Sequence, residues 1–174
     1  FYGGLKFENF TAVNFRIYAL SRLPIVFENC NITWAKYAII VPSAAVAMTW
    51  RNCHFKFPSD PLTLDSNQNG QHISLTIDTC ILEPVSSTPG YIQWTRNLAD
   101  PITVTNSYIH NMRFFQSGSF SATHSILSRN TSIGLLVSTA AGSDFTLIDT
   151  IMNGTSDALV PLPSFPMGNI LLQR

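Results

Sequence analysis

A chain of 174 residues is long enough for one domain with a continuous core, and ten basic against ten acidic residues leave it formally neutral. That balance excludes an electrostatic grip on nucleic acid or an anionic membrane surface, which needs a basic stripe, and no stretch approaches the roughly 18 apolar residues of a membrane-spanning helix. Charged residues are only 11% of the chain, under half the usual share of about 25%, so part of the outer surface is expected to be covered in an oligomer or a larger assembly.

The opening Phe1-Tyr2-Gly3-Gly4 has no Met and reads as a processed chain or a slice of a longer one. Leu5-Lys6-Phe7-Glu8 then alternates apolar with polar, reaches Asn9 and resumes as Phe10-Thr11-Ala12. The same phrase returns at Ile25–Ile32 around Asn29-Cys30 and at Met48–Phe55 around Asn52-Cys53. It recurs at Leu75–Leu82 (Thr79-Cys80), Ile102–Ile109 (Asn106-Ser107), Phe120–Leu127 (His124-Ser125) and Phe145–Met152 (Asp149-Thr150). Anchored on Phe10, Cys30, Cys53, Cys80, Ser107, Ser125 and Thr150, the steps are 20, 23, 27, 27, 18 and 25 residues. A constant local pattern at irregular intervals places the insertions in loops while stacked units keep their register.

Period two on both flanks of each bend predicts two strands per unit. At Asn9, Asn29, Asn52 and Asn106 the alternation slips by one, so the residue after Asn points inward again; Asn tolerates the left-handed backbone such a corner needs. A third strand is predicted at Phe15–Ile17, Tyr37–Val41, Tyr91–Trp94, Arg113–Phe115, Gly134–Val137 and Asn169–Leu172. Two Pro/Gly-punctuated stretches, Phe57–Gly70 and Glu83–Gly90, are read as neighbouring loops projecting from one side. No stretch holds the i, i+3, i+4, i+7 spacing of an amphipathic helix for a dozen residues, and a β-sandwich has no reason to repeat one bend in consecutive units. The chain therefore reads as all-β: a right-handed parallel β-helix of about seven coils with three short strands each. The solenoid is expected over residues 1–156, with an extended Pro-rich segment over 157–174 leading into a last strand.

Coils about 4.8 Å apart stack equivalent residues into columns. Two columns face inward, one running Leu5, Ile25, Met48, Leu75, Ile102, Phe120, Phe145 and the other Phe7, Phe27, Trp50, Ile77, Val104, Ala122, Leu147. Cys30, Cys53 and Cys80 form one inward file and read as small buried hydrophobes, not a redox or metal centre; no metal and no cofactor are expected. An outward row of Thr49, Thr76, Thr103, Ser121 and Thr146 suits exposed strands. Glu8, Glu28, Arg51 and Asp78 stack as cross-coil ion pairs. The outward column Ile81, Tyr108, Ile126, Ile151 is an apolar patch that a lone solenoid would avoid, and it marks the expected interface with protein partners or a second copy. Asn-x-Ser/Thr sequons at Asn31, Asn130 and Asn153 are glycosylation candidates, whereas that at Asn9 is expected to be poorly accessible in its bend.

This coil pattern resembles the right-handed parallel β-helix superfamily of pectate lyases, phage tailspikes and surface adhesins, and the Asn bend followed by Cys at Asn29-Cys30 and Asn52-Cys53 also looks like the β-helical surface proteins of the kinetoplastid dispersed gene family. The resemblance spans nearly the whole chain and implies a location that is extracellular, on a cell surface or on a virion. Enzymes of that superfamily use clustered carboxylates; here Asp60, Asp65, Asp78 and Glu83, with His54 or Arg51 beside them across coils, are the residues that would have to serve. No Asp-Asp pair and no carboxylate in a predicted third strand is present, and acid–base work needs preorganised pairs. Tyr91, Trp94, Phe114 and Phe115 could stack on a glycan if exposed. The expected function is thus a non-catalytic structural or adhesive module, the alternative being a polysaccharide-binding or depolymerising module of the tailspike type.

Overall fold

The computed structural model describes residues 4–21, 23–35, 39–42, 46–59, 62–64, 73–94, 101–115, 119–128, 144–153 and 170–174. Among them are strands and no helix. The first coil supplies β1 (Leu5–Glu8), β2 (Thr11–Phe15) and β3 (Tyr18–Ser21), and the second β4 (Ile25–Glu28), β5 (Asn31–Trp34) and β6 (Ile39–Pro42). β7 (Val46–Arg51), β8 (His54–Phe57) and β9 (Leu62–Leu64) follow, then β10 (Ile73–Asp78), β11 (Ile81–Pro84) and β12 (Gly90–Trp94). The chain continues through β13 (Ile102–Thr105), β14 (Tyr108–His110), β15 (Met112–Phe115), β16 (Phe120–Thr123) and β17 (Ile126–Ser128), ending with β18 (Phe145–Ile148), β19 (Ile151–Asn153) and β20 (Ile170–Gln173).

These strands sort into three sheets by their place in the coil. The first is β1-β4-β7-β10-β13-β16-β18-β20, the second β2-β5-β8-β11-β14-β17-β19 and the third β3-β6-β9-β12-β15, with every pairing parallel. A polypeptide that returns to three parallel sheets in turn is a parallel β-helix, as the repeated phrase predicts. Registers place Leu5 on Ile25, Met48, Leu75, Ile102, Phe120 and Phe145, and Phe7 on Phe27, Trp50, Ile77, Val104, Ala122 and Leu147. From Ile25 to Phe145 and from Phe27 to Leu147 these columns are buried. Each large side chain so removed from water is worth roughly 1.5–3 kcal/mol. Aromatic rings thicken the early coils: Phe7 stacks on Phe27 at 4.7 Å, and Trp50 meets Phe55 edge-on at 5.0 Å.

The bends adopt the left-handed conformation at every repeat. Asn9, Asn29, Asn52 and Asn106 have φ of 50–55°, and Thr79 (55°), His124 (48°) and Asp149 (46°) are close to them. The geometry is set by the coil, so residue types less suited to it are carried along. A β-branched residue at positive φ is strained, the left-handed region costing an L-residue about 1–2 kcal/mol that Asn largely escapes. Thr79→Asn is therefore expected to stabilise the fold by about 1 kcal/mol, read as a raised denaturant midpoint at unchanged slope.

The third strands differ in part from expectation. Those at Tyr91–Trp94 and Arg113–Phe115 coincide with β12 and β15, and Tyr37–Val41 overlaps β6, but Phe15–Ile17 does not form one. Asn14 is also left-handed (φ 55°), and a bulge between Ala12 and Phe15 brings Phe15 opposite Trp34, so Phe15 ends β2 and the third strand starts at Tyr18. Leu62–Leu64, read as part of a loop, is β9 and pairs with β6 and β12. Ile170–Gln173 pairs with β18 in the first sheet, opening a further turn of the stack where a third strand was expected. Gly134–Val137 lies outside the described residues, as do most of residues 157–174.

Candidate functional site

The outward face of the second sheet carries one unbroken file. Register links Thr11, Asn31, His54, Ile81, Tyr108, Ile126 and Ile151 across β2, β5, β8, β11, β14, β17 and β19. Its composition changes midway from polar to apolar. Ile81, Tyr108, Ile126 and Ile151 expose 42%, 38%, 39% and 60% of their surface, while the alternate residues Leu82, Ile109 and Leu127 are buried beneath them. The corner causes this parity: the slip at the bend turns Cys80, Ser107 and Ser125 inward, which sends the next residue out.

Tyr108 at the centre of the file is held in place. Its ring stacks on His110 at 5.9 Å and 15°, His110 Nδ1 lies 2.8 Å from Ser128 Oγ, and the Ser128 hydroxyl donates to the Tyr108 hydroxyl at 3.1 Å. An aromatic side chain fixed before contact loses little rotamer freedom on binding, which favours it as an anchor. Sequence reading placed Tyr108 in the column but missed this cluster. Its signal is the i, i+2 pair on one strand with a serine one coil later.

The candidate carboxylates are placed apart, on either side of the Thr79 corner. Asp78 ends β10, where its Oδ1 accepts from the hydroxyls of Thr105 (2.9 Å) and Thr79 (3.3 Å) and from Asn106 Nδ2 (3.2 Å). Glu83 on β11 takes His54 Nε2 at 2.9 Å and Lys56 Nζ at 3.3 Å on one oxygen. Burial pulls the Asp78 carboxyl upward, but the bonds from Thr105, Asn106 and Thr79 outweigh it and hold it below its ordinary value. In Glu83 burial again pulls upward and is outweighed, here by His54 and Lys56. A proton donor needs the opposite shift. Arg51 bridges Glu28 at 3.5 Å and Asp78 at 4.0 Å, completing the ion-pair column with Lys6 on Glu28 at 2.9 Å. Asp60, Asp65 and Asn130 lie outside the described residues.

Both lowered carboxyls bind protons at a lower pH in the folded chain than in the unfolded one. Their contribution to stability is therefore complete above the ordinary carboxylate pKa of about 4 and is lost as pH falls through the folded values. The unfolding midpoint is expected to fall as pH drops below about 4, and Glu83→Gln with Asp78→Asn to flatten that limb while lowering the midpoint at pH 7. A limb unchanged by the pair would show that other groups control acid unfolding.

The cysteines stand in single file and are free. The Cys30 N–H donates to Cys53 Sγ and the Cys53 N–H to Cys80 Sγ, each at 3.4 Å; the Cys80 N–H donates to Ser107 Oγ (3.0 Å) and the Ser107 N–H to Ser125 Oγ (3.1 Å). Each side chain in turn donates to the carbonyl two residues before it, from Cys30 to Glu28 (3.3 Å) through to Thr150 to Ile148 (2.9 Å). Burial pushes the Cys30 thiol up, and the neighbouring Cys80 side chain together with burial pushes Cys53 up. Thiols kept protonated make weak nucleophiles, which describes Cys30 and Cys53, whereas the hydrogen bond with the Cys53 side chain draws the Cys80 thiol down. Asn31 and Asn153 are exposed, and so is Asn9, against expectation: its corner projects outward, so its left-handed backbone presents the side chain to solvent. A groove of about 310 Å³ runs along the corner between Asn29, Asn31, Asn52, His54, Thr79 and Ile81.

Compared with protein-family models, curated proteins and solved structures, the chain matches none. Its three stacked parallel sheets define its class, a parallel β-helix.

Proposed function

We propose that this chain is a non-catalytic structural or adhesive module, working by side-by-side contact with a second β-helix in an extracellular, cell-surface or virion assembly. Its place is with the tailspike and adhesin members of the pectate-lyase-like superfamily. The supporting observation is the in-register file Ile81–Tyr108–Ile126–Ile151, four large side chains exposed in a row on one sheet face. Such a file is self-complementary about a two-fold axis between Tyr108 and Ile126, and it contains no charge to oppose pairing. A strip this narrow falls short of the ~800 Å² per partner of a stable isolated complex, so it acts through many weak contacts in an array. Light scattering across a concentration series tests the proposal. Mass is expected to rise with concentration in the native chain, and Ile126→Lys with Ile151→Lys to abolish the rise without moving the unfolding midpoint. A native chain that stays monomeric at every concentration sinks it.

A second reading, polysaccharide binding, is favoured by the corner groove, whose Asn and His side chains offer donors and acceptors beside an apolar Ile81. Titration with a panel of capsular polysaccharides distinguishes the two. Saturable binding weakened by Asn52→Ala supports this second reading, and product release would extend it to depolymerisation.

A further inference from the structure

We propose that Asn9 and Asn31 form a paired N-glycan acceptor site on the polar half of the second sheet's outer face. Both sequons, Asn9-Phe10-Thr11 and Asn31-Ile32-Thr33, lie wholly within the described residues, and both asparagines are exposed. They are neighbours in space as well as in pattern: Thr11, the hydroxyl residue of the first sequon, is the direct register partner of Asn31. The hydrogen bonding separates them from other asparagines of the helix. Asn52 Nδ2 donates to Asn29 Oδ1 at 2.7 Å, Asn106 Nδ2 to Asp78 at 3.2 Å and Asn111 Nδ2, between β14 and β15, to the Ser87 carbonyl at 3.1 Å, so the carboxamides of these four asparagines are tied into the stack. Among the described residues no hydrogen bond of this kind holds the Asn9 or Asn31 carboxamide, so substitution at either Nδ2 breaks no such tie.

The chemistry is transfer of an oligosaccharide from a lipid-linked pyrophosphate donor. The carboxamide nitrogen attacks C1 of the first sugar, an N–C bond forms, and the C1–O bond to pyrophosphate breaks. The pyrophosphate leaves with the bonding electrons, and one amide proton passes to a base of the transferase. Asn31 lies two rows from Ile81, about 10 Å along the axis at ~4.8 Å per row. Glycans there cover the polar rows and leave the apolar file bare, which confines side-by-side packing to the later coils. In its natural setting this rests on the extracellular reading; the acceptor geometry itself does not.

Translation of the whole chain behind a cleavable leader in the presence of endoplasmic-reticulum microsomes tests it without reference to any partner. Peptide mapping after amidase release is expected to show Asn9 and Asn31 both converted to Asp. Asn9→Gln and Asn31→Gln are each expected to remove one glycan step on a gel. The glycosylated chain is expected to unfold at the same midpoint as the amidase-treated one. An unmodified Asn at either position, or a midpoint lowered by the glycans, overturns the paired site. The light-scattering result on the bare chain is independent of either outcome.

Discussion

Trp50→Ala is expected to destabilise the chain by about 3–5 kcal/mol, a large part of the 5–15 kcal/mol that ordinarily holds a domain together. Trp50 is fully buried, stands in file between Phe27 and Ile77, and touches the rings of Phe55 at 5.0 Å and Phe57 at 6.1 Å. Strands of three neighbouring coils fix the surrounding backbone by hydrogen bonds, so the hole left by the indole cannot collapse, and both transfer and cavity terms are lost in full. Trp50→Phe is expected to cost much less than its lost volume suggests, because the indole Nε1 is buried without a hydrogen-bond partner and phenylalanine removes that unpaired donor. Denaturant unfolding ranks the two. Hydrogen exchange adds a spatial test: because each coil touches only its neighbours, protection is expected to fall first at Phe27, Phe55 and Ile77, with Val104 and Ala122 following later. Equal loss along the whole rod would contradict nearest-neighbour energetics.

Ser107→Ala is expected to cost about 1–3 kcal/mol although it removes a single oxygen from a residue of small volume. The hydroxyl accepts from the buried Cys80 N–H at 3.0 Å and donates to the Thr105 carbonyl at 2.6 Å. At the left-handed corner the chain turns away from its neighbour, and the side chain of the next coil stands where a carbonyl would in a straight strand. Alanine leaves that N–H in the core with no acceptor. Ser107→Cys is expected to cost less than 1 kcal/mol, since the same corner works with sulfur at Cys53 and Cys80. Thermal unfolding of the two variants decides it; equal losses would show that volume, not the hydrogen bond, matters at the file.

Most of the fold was legible because the coil imposes two constraints at once, period two on the strands and a one-residue slip at the bend. Together they fix parity, which is why Ile81 and Ile151 could be placed outside and Leu82 inside from the letters alone. Third strands lack such an anchor. Their lengths and flanks vary from coil to coil, so β9 was hidden in a stretch rich in Asp and Pro, and the Asn14 bulge displaced β3. Asp149 and His124 share some of the tolerance of Asn for the left-handed corner, whereas Thr79 adopts it only because its neighbours force it. The cross-coil ion pair of Asp78 with Arg51 was legible from the column, but the hydrogen bonds from Thr105, Thr79 and Asn106 that hold Asp78 were not. The Tyr108–His110–Ser128 cluster could have been found by projecting the register one coil further.

From Cys30 to Ser125 the backbone N–H at each corner donates to the corner side chain of the next coil, whatever the number of residues spent between them. Steps of 18 and 27 residues close with equal success. The rod therefore has no preferred length: a whole coil can be excised or duplicated between one corner and the next without disturbing the joint. Variation by unequal recombination at these corners would yield rods of different reach that keep the same corner file, much as a ladder is extended by adding rungs.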